Sequence, residues 1–83
     1  MMNSYQRSQL SANLEKYSER MNEMVSEYVA KGDGSFSLYN KPAKIGYVTS
    51  TLFRAHVKRL VGNGILEKKG FDFMGEPLYG YKD

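Results

Sequence analysis

The sequence predicts an α+β fold: a long N-terminal helix, a short strand, two further helices and a C-terminal β-hairpin. Three observations predict it. Apolar residues recur at helical spacing through the first third of the chain, a second helical stretch ends at a Gly-Asn-Gly stop, and two short alternating segments near the C-terminus are separated by glycine and proline. With 83 residues the chain has apolar area for one core, so residues 1–83 are expected to form one domain.

The N-terminal helix is predicted over residues 8–31. Its apolar residues alternate in steps of four and three, and Lys31 followed by Gly32, a residue free to turn left-handed, is a typical stop signal. About three heptads at this spacing suit a coiled-coil seam between two copies, formed by Leu10, Leu14, Tyr17 and Met21. The alternative is that only the C-terminal half packs on the domain's own core while the N-terminal half extends or frays.

In the middle of the chain the sequence predicts a strand at residues 36–38, followed by two helices. The first is short, residues 41–45, with Asn40 as N-cap, Pro42 in its first turn and Gly46 at its end. The second is strongly indicated over residues 49–63, since hydroxyl side chains open it and two glycines close it. Strands at residues 65–69 and 78–81 follow and form a terminal hairpin.

Basic charge is concentrated in one continuous segment. Residues 41–69 hold seven basic residues and one acidic residue, a net charge of +6, whereas residues 1–40 carry −1 and residues 70–83 carry −2. Such a concentration is expected where a protein meets phosphate. The alternative is a solvated basic face with no ligand.

The helix at residues 49–63 has two contrasting faces. At about 100° per residue, an apolar anchor of Phe53, Val57, Leu60 and Val61 lies on one side. The opposite side carries small, hydroxyl-bearing and basic residues: Thr51, Arg54, Ala55 and Lys58. These types suit the major groove, since Arg can bridge guanine O6 and N7, Thr can meet a base edge or a thymine methyl, and Ala permits close approach. His56 lies between the faces and is expected to be half-buried.

Residues 36–82 also contain three stretches in a distinctive order. They are a hydroxyl-rich turn, an apolar-basic-basic-leucine stretch and a glycine before an apolar pair: Thr49-Ser50-Thr51, Val57-Lys58-Arg59-Leu60 and Gly64-Ile65-Leu66. Together with the predicted order of elements, they resemble the winged helix-turn-helix family of DNA-binding domains. The short proline-containing helix before the turn departs from the family's pattern. The resemblance implies that residues 49–63 are the recognition helix.

From these features we expect double-stranded DNA as the partner and a homodimer as the binding form, with a role as a small transcriptional regulator or repressor of bacterial, plasmid or phage type. The expected base-reading residues are Ser50, Thr51, Arg54, Ala55 and Lys58. The expected phosphate and wing contacts are Lys41, Lys44, Thr49, Arg59, Lys68 and Lys69. Neighbours on a regular strand point to opposite faces, so Lys68 and Lys69 should diverge.

Composition argues against several other classes. There is no cysteine and one histidine, so neither a metal site nor an enzyme's catalytic set is expected, and no cofactor or small-molecule ligand is evident. No stretch reaches a membrane span and residues 1–7 lack an apolar signal core, which predicts a soluble cytoplasmic protein. The rival interpretation is a winged helix used for protein–protein interaction, such as a phage-encoded inhibitor or an assembly subunit.

Overall fold

The computed structural model describes residues 3–38 and 44–83, with residues 44 and 45 described by their backbone alone. Three helices and two antiparallel sheets, one of three strands and one of two, are found in this part of the chain, so the predicted α+β class is confirmed. In chain order the elements are α1 (Ser4–Lys16), α2 (Ser18–Lys31), β1 (Phe36–Ser37), β2 (Lys44–Ile45), β3 (Val48–Thr49), α3 (Ser50–Gly62), β4 (Leu66–Phe71) and β5 (Pro77–Tyr81).

The N-terminal helical region is two helices, so the prediction of one helix over residues 8–31 is wrong. The helix begins earlier because Asn3 and Gln6 form a capping box, in which Asn3 Oδ1 accepts from the Gln6 N–H at 2.8 Å and Gln6 Oε1 accepts from the Asn3 N–H at 3.2 Å. It is interrupted at Tyr17, which has φ −108° and ψ 12°. There the Ser18 hydroxyl donates to the Glu15 carbonyl at 3.2 Å, a side-chain bond that bends helices.

The end of α2 differs in detail from the expected stop. Gly32 keeps a negative φ of −96°, and Asp33 takes the left-handed conformation with φ 56°. The Gly34 N–H donates to the Val29 carbonyl at 2.9 Å, which completes a Schellman turn. Glycine is required at position 32 for another reason: a Cβ there would collide with the carbonyl oxygen of Ser35.

The prediction of a short helix at residues 41–45 is wrong for residues 44–45, which are the part of it that the structure describes. Residues 41–43 lie outside the described part of the chain, and residues 44–45 form β2, which pairs antiparallel with β3. Gly46, with φ 60°, supplies the left-handed first position of a two-residue hairpin turn. A five-residue helix gains too few hydrogen bonds to offset its costly nucleation. The hairpin is held by Val48, which is buried, and by Tyr47, whose ring stacks on Tyr17 at 6.1 Å.

The three-stranded sheet has the order β1-β5-β4, with both pairs antiparallel. Phe36 lies opposite Tyr79, and Tyr79 lies opposite Lys68, so the last strand of the chain is the central one. The predicted strands at residues 36–38, 65–69 and 78–81 are confirmed within two residues at each end. A β-bulge between Lys68 and Gly70 leaves Lys69 without a partner in the ladder.

One core joins α2, α3 and this sheet. Its buried members are Met21, Met24, Val25, Phe36, Val48, Leu52, Phe53, Val57, Leu60 and Leu66. Met21 is 0% exposed, so its assignment to a dimer seam is wrong: the side chain is used by the chain's own core. Leu10, Leu14 and Tyr17, the other predicted seam residues, are partly buried against the same core. In the described residues no helix is both long and apolar enough to cross a membrane.

Candidate nucleic-acid interface

Helix α3 has well-defined ends, and the prediction for residues 49–63 is confirmed. Thr49 is the N-cap, since its Oγ1 accepts from the Leu52 N–H at 3.1 Å. At the other end Gly64 is left-handed with φ 75°, and the Ile65 N–H donates to the Leu60 carbonyl at 2.9 Å. Both ends of the helix are therefore defined by local hydrogen bonds.

The inward face of α3 anchors it on the core. Its buried side chains are Leu52, Phe53, His56, Val57 and Leu60. Phe53 meets the Tyr28 ring edge-on at 5.6 Å and the Phe36 ring at 6.2 Å. Val61 was predicted to belong to this anchor, but it is 36% exposed and lies at the helix margin.

His56 is buried, with 3% exposure, so the prediction of a half-buried residue is wrong. Its Nε2 lies 2.7 Å from Asn22 Oδ1, which assigns the Nε2–H as donor to the amide oxygen. Nδ1 is buried and has no hydrogen-bond partner among the described residues. Burial, and secondly the charge of Arg59, lower the pKa of His56 below its ordinary value. The ring is therefore a neutral core residue that ties α3 to α2.

The outward face of α3 carries the predicted base-reading residues. Thr51, Arg54 and Lys58 are exposed, and Ser50 and Ala55 are half-buried between them and the core. The observed exposure follows the periodicity expected from the sequence. Neither Arg54 nor Lys58 forms an ion pair within the described residues. Both cations are therefore available to an external anion.

A groove runs between this face and the sheet. An open depression of about 430 Å³ is bordered by Arg54 and Lys58 on α3 and by Glu76, Pro77 and Tyr79 on the hairpin side. An adjoining depression of about 210 Å³ is bordered by Lys58, Val61, Lys68 and Tyr79. The structure thus brings Lys68 of the hairpin to the same groove as the two helix cations. Glu76 is the acidic residue among those bordering it.

Other predicted phosphate contacts lie elsewhere. The Arg59 guanidinium lies 3.5 Å from Glu15 Oε1 and connects α3 to α1. Lys69 Nζ lies 2.9 Å from Glu67 and 3.3 Å from Asp83, and its stem covers Gly80. The hydrogen bond to Glu67, helped by Asp83, raises the pKa of Lys69 above its ordinary value. Lys68 and Lys69 therefore point apart, as predicted, with only Lys68 at the groove. Lys41 and the Lys44 side chain lie outside the described residues.

The tip of the β4–β5 hairpin is a tight turn built around Asp72. The Asp72 carboxylate accepts from the N–H groups of Met74 and Glu76, both at 2.9 Å. The Gly75 N–H donates to the Asp72 carbonyl at 3.0 Å, and Gly75 has φ 84°. This is a three-residue loop with glycine at the left-handed position. Asp72 therefore has a structural role, since its carboxylate closes the turn.

The same tip exposes apolar side chains that sequence reasoning missed. Phe73 is 98% exposed, Phe71 is 65% exposed and Met74 is 59% exposed. The signal was present, because Phe-Asp-Phe-Met-Gly places three large apolar residues around a turn.

No group of three or more His, Cys, Asp or Glu side chains in the described ranges is arranged to hold a metal ion. Comparison of the chain with protein-family models, with curated proteins and with solved structures finds no match. Any functional proposal therefore depends on the geometry of the groove and on the sequence resemblance.

Proposed function

We propose that this chain is a winged-helix domain that binds double-stranded DNA with the outward face of α3. The observation that carries the proposal is the combination of Thr51, Arg54 and Lys58 on one exposed helix face with Lys68 of the following hairpin across a shared groove. An exposed helix face with hydroxyl and basic residues fits the major groove, and a basic hairpin beside it fits the flanking phosphates.

The topology supports this assignment. Helix α3 leads directly into the β4–β5 hairpin, and β1 pairs with β5 to give the order β1-β5-β4, an arrangement compatible with a winged helix. The β2–β3 hairpin stands immediately before α3, where a helix-turn-helix would have its first helix. In this proposal the hairpin, through buried Val48 and the stacked Tyr47, takes over the support of the recognition helix.

Each residue at the groove has a chemical role in the proposal. Arg54, at the centre of the exposed face, reads guanine through its planar fork of donors. Lys58 and Lys68 contact phosphates on either side of the groove. Ser50 and Thr51 lie in the first turn, where free N–H groups also favour a backbone phosphate. Thr49 stays occupied by its capping bond.

The experiment that tests the proposal is fluorescence anisotropy of a labelled mixed-sequence duplex titrated with protein across a salt series. The double variant Arg54→Ala/Lys58→Ala is compared with Arg20→Ala/Lys31→Ala, which removes the same two residue types from α2. We expect the groove variant to lower the slope of log affinity against log salt by about two, one for each lost contact, and the α2 control to leave it near wild type. Equal slopes in the two variants, or no binding by wild type at low salt, would refute the proposal.

A role as a transcriptional regulator or repressor follows if such a domain occupies an operator. The homodimer also stays a prediction, in which two copies of α3 enter successive major grooves about one helical turn apart. Selection of bound duplexes from a random pool tests both, since a dimer selects a palindrome and a monomer selects a single half-site.

The exposed apolar tip favours a second candidate, a protein-interaction module that leaves the basic groove unused. The two candidates differ in one measurable respect. If the chain is an interaction module, neutralising Arg54 and Lys58 leaves duplex retention equal to that of the α2 control.

A further inference from the structure

The tip of the β4–β5 hairpin combines apolar and acidic side chains. Phe73 is 98% exposed and Met74 is 59% exposed. The flanking charges are the carboxylates of Asp72 and Glu76, and residues 71–77 contain no basic residue, so this end of the hairpin has a net charge of −2. A partner that covers the tip must therefore offer apolar surface together with positive charge.

The tip is also preorganised. Four hydrogen bonds of 2.9–3.0 Å close the turn between Asp72 and Glu76, two of them to the Asp72 carboxylate. Gly75 takes the left-handed position without steric cost. The turn that presents Phe73 is therefore formed before any partner binds, which reduces the conformational entropy lost on association.

The groove beside α3 has the complementary properties. Its depression of about 210 Å³ is bordered by Val61 and Tyr79, which contribute apolar surface, and by two lysines, Lys58 and Lys68. Arg54 extends the positive charge along the adjoining depression. None of these three cations forms an ion pair within the described residues. The groove thus offers the tip both the apolar surface and the positive charge that a partner must supply.

The tip and the groove belong to one continuous surface. Phe71 lies opposite Pro77 in the β4–β5 ladder, and Pro77 borders the groove, so Phe71 extends the groove side of the sheet toward the tip. Phe71 is 65% exposed. Glu76 lies where the two regions meet, and against three cations it leaves the groove with an excess of positive charge. The surface is therefore acidic and apolar at one end and basic and apolar at the other.

Such a surface is self-complementary. A two-fold rotation places the acidic end of one copy on the basic end of the other, and both contacts form at once. We propose that two copies of this chain associate in this way, with Phe73 and Met74 of each copy in the depression between α3 and the sheet of the other. The tip carboxylates of each copy then face the groove cations of the other copy.

This dimer covers the outward face of α3, so it differs from a dimer bound to two successive major grooves. It needs no DNA to form, because both surfaces are present in the free chain. Association without nucleic acid is therefore measured separately from duplex binding, and either can fail without the other. If the same face also binds a duplex, dimer and duplex compete for Arg54 and Lys58.

Sedimentation velocity of the free protein over a concentration series tests the dimer. The series extends to about 500 μM, because small interfaces bind weakly. The tip variant is Phe73→Ser/Met74→Ser, and the groove variant is Lys58→Glu/Lys68→Glu. Because these side chains are exposed, we expect both variants to fold, which circular dichroism checks. Phe73→Ser alone and Lys68→Gln alone replace a double variant that does not fold.

Each variant has a matched control away from the proposed contact. Tyr5→Ser removes a 71% exposed aromatic ring from α1. Lys31→Glu/Lys82→Glu makes the same change of charge as the groove variant at two exposed lysines outside the groove. The controls separate a loss of this contact from a general effect of lower hydrophobicity or lower net charge.

We expect wild type and both controls to dimerise, and the tip and groove variants to have dissociation constants raised at least about tenfold. Higher salt should weaken the wild-type dimer, because the charge pairs are screened. An equimolar mixture of the two variants should recover a complex, since one keeps an intact groove and the other an intact tip. This complex should be weaker than the wild-type dimer, because it has one of the two contacts.

A wild type that stays monomeric throughout the series overturns the proposal. A groove variant that dimerises like wild type also overturns it, because the tips would then contact each other. A tip variant that dimerises like wild type assigns the contact to another surface, such as α1. A mixture that holds no more complex than either variant alone shows that the tip and the groove do not contact each other.

Discussion

The two faces of α3 differ in almost every physical property although they belong to one helix of 13 residues. The inward face is apolar and buried, with Leu52, Phe53, Val57 and Leu60 at 8% exposure or less. The outward face is polar, cationic and without ion pairs in the described residues. If the outward face binds DNA as proposed, folding and binding depend on different side chains of the same helix. Substitutions on one face should therefore leave the other property intact.

The largest effect is expected on the inward face. Phe53→Ala removes a ring that packs against Tyr28 and Phe36, and such truncations lower the free energy of unfolding by about 3–5 kcal/mol. A domain of this size has a total stability of about 4–12 kcal/mol, so this loss is a large fraction of it. Urea unfolding followed by circular dichroism measures the loss. Phe53→Leu, a milder change, serves if the alanine variant does not fold.

Arg54→Ala is the matched variant on the outward face, because it removes a large side chain from the same helix next to Phe53. We expect its unfolding free energy to lie within about 0.5 kcal/mol of wild type. A loss comparable to that of Phe53→Leu would show that the two faces are not separable.

A smaller effect is expected from pH, through His56. Its pKa is lowered in the folded state, chiefly by burial and also by Arg59, whereas in the unfolded chain it is about 6.5. Between these two values the unfolded state binds the extra proton. The contribution of His56 to the free energy of unfolding is therefore fully present above about pH 7. It is lost as the pH decreases through 6.5 toward the lowered pKa.

The variant His56→Gln keeps a polar side chain beside Asn22 and removes this titration. We expect its stability to vary less with pH than that of wild type between about pH 7 and 5. Urea midpoints at matched pH values make the comparison. Parallel curves for the two proteins would show that His56 is not protonated preferentially in the unfolded chain.

The sequence was most informative where hydrogen bonds are local. Thr49 and Gly64 define α3 without reference to the rest of the chain, and both ends were predicted. The capping pair Asn3 and Gln6 is an equally local signal, and it starts the first helix at Ser4 and not at the predicted residue 8. Local signals failed at residues 44–45, where the chain forms a hairpin that turns at Gly46. This hairpin is stabilised by the stacking of Tyr47 on Tyr17, a contact between residues far apart in the sequence.

The candidate site shows a second limit. A heptad of apolar residues looks the same whether it faces another copy or the chain's own core, so Met21 was assigned to a seam although it is buried within the chain. Helical periodicity did identify Thr51, Arg54 and Lys58 as an exposed face. It could not show that Lys68 shares their groove, because that depends on how the sheet packs against α3.

The smallest effect on duplex binding is expected in the hairpin, where two neighbouring lysines lie on opposite sides of the sheet. Lys68 and Lys69 are adjacent and identical in charge, but Lys68 borders the α3 groove and Lys69 is held by Glu67 and Asp83 on the other side. Lys68→Ala should weaken duplex binding a few-fold and lower the salt slope by about one. Lys69→Ala changes the net charge equally but frees two carboxylates far from the groove, so the salt slope should stay near that of wild type. Anisotropy titrations of both variants over the same salt series decide the matter. If the two substitutions lower the slope equally, net charge alone governs binding and the groove is not the contact surface.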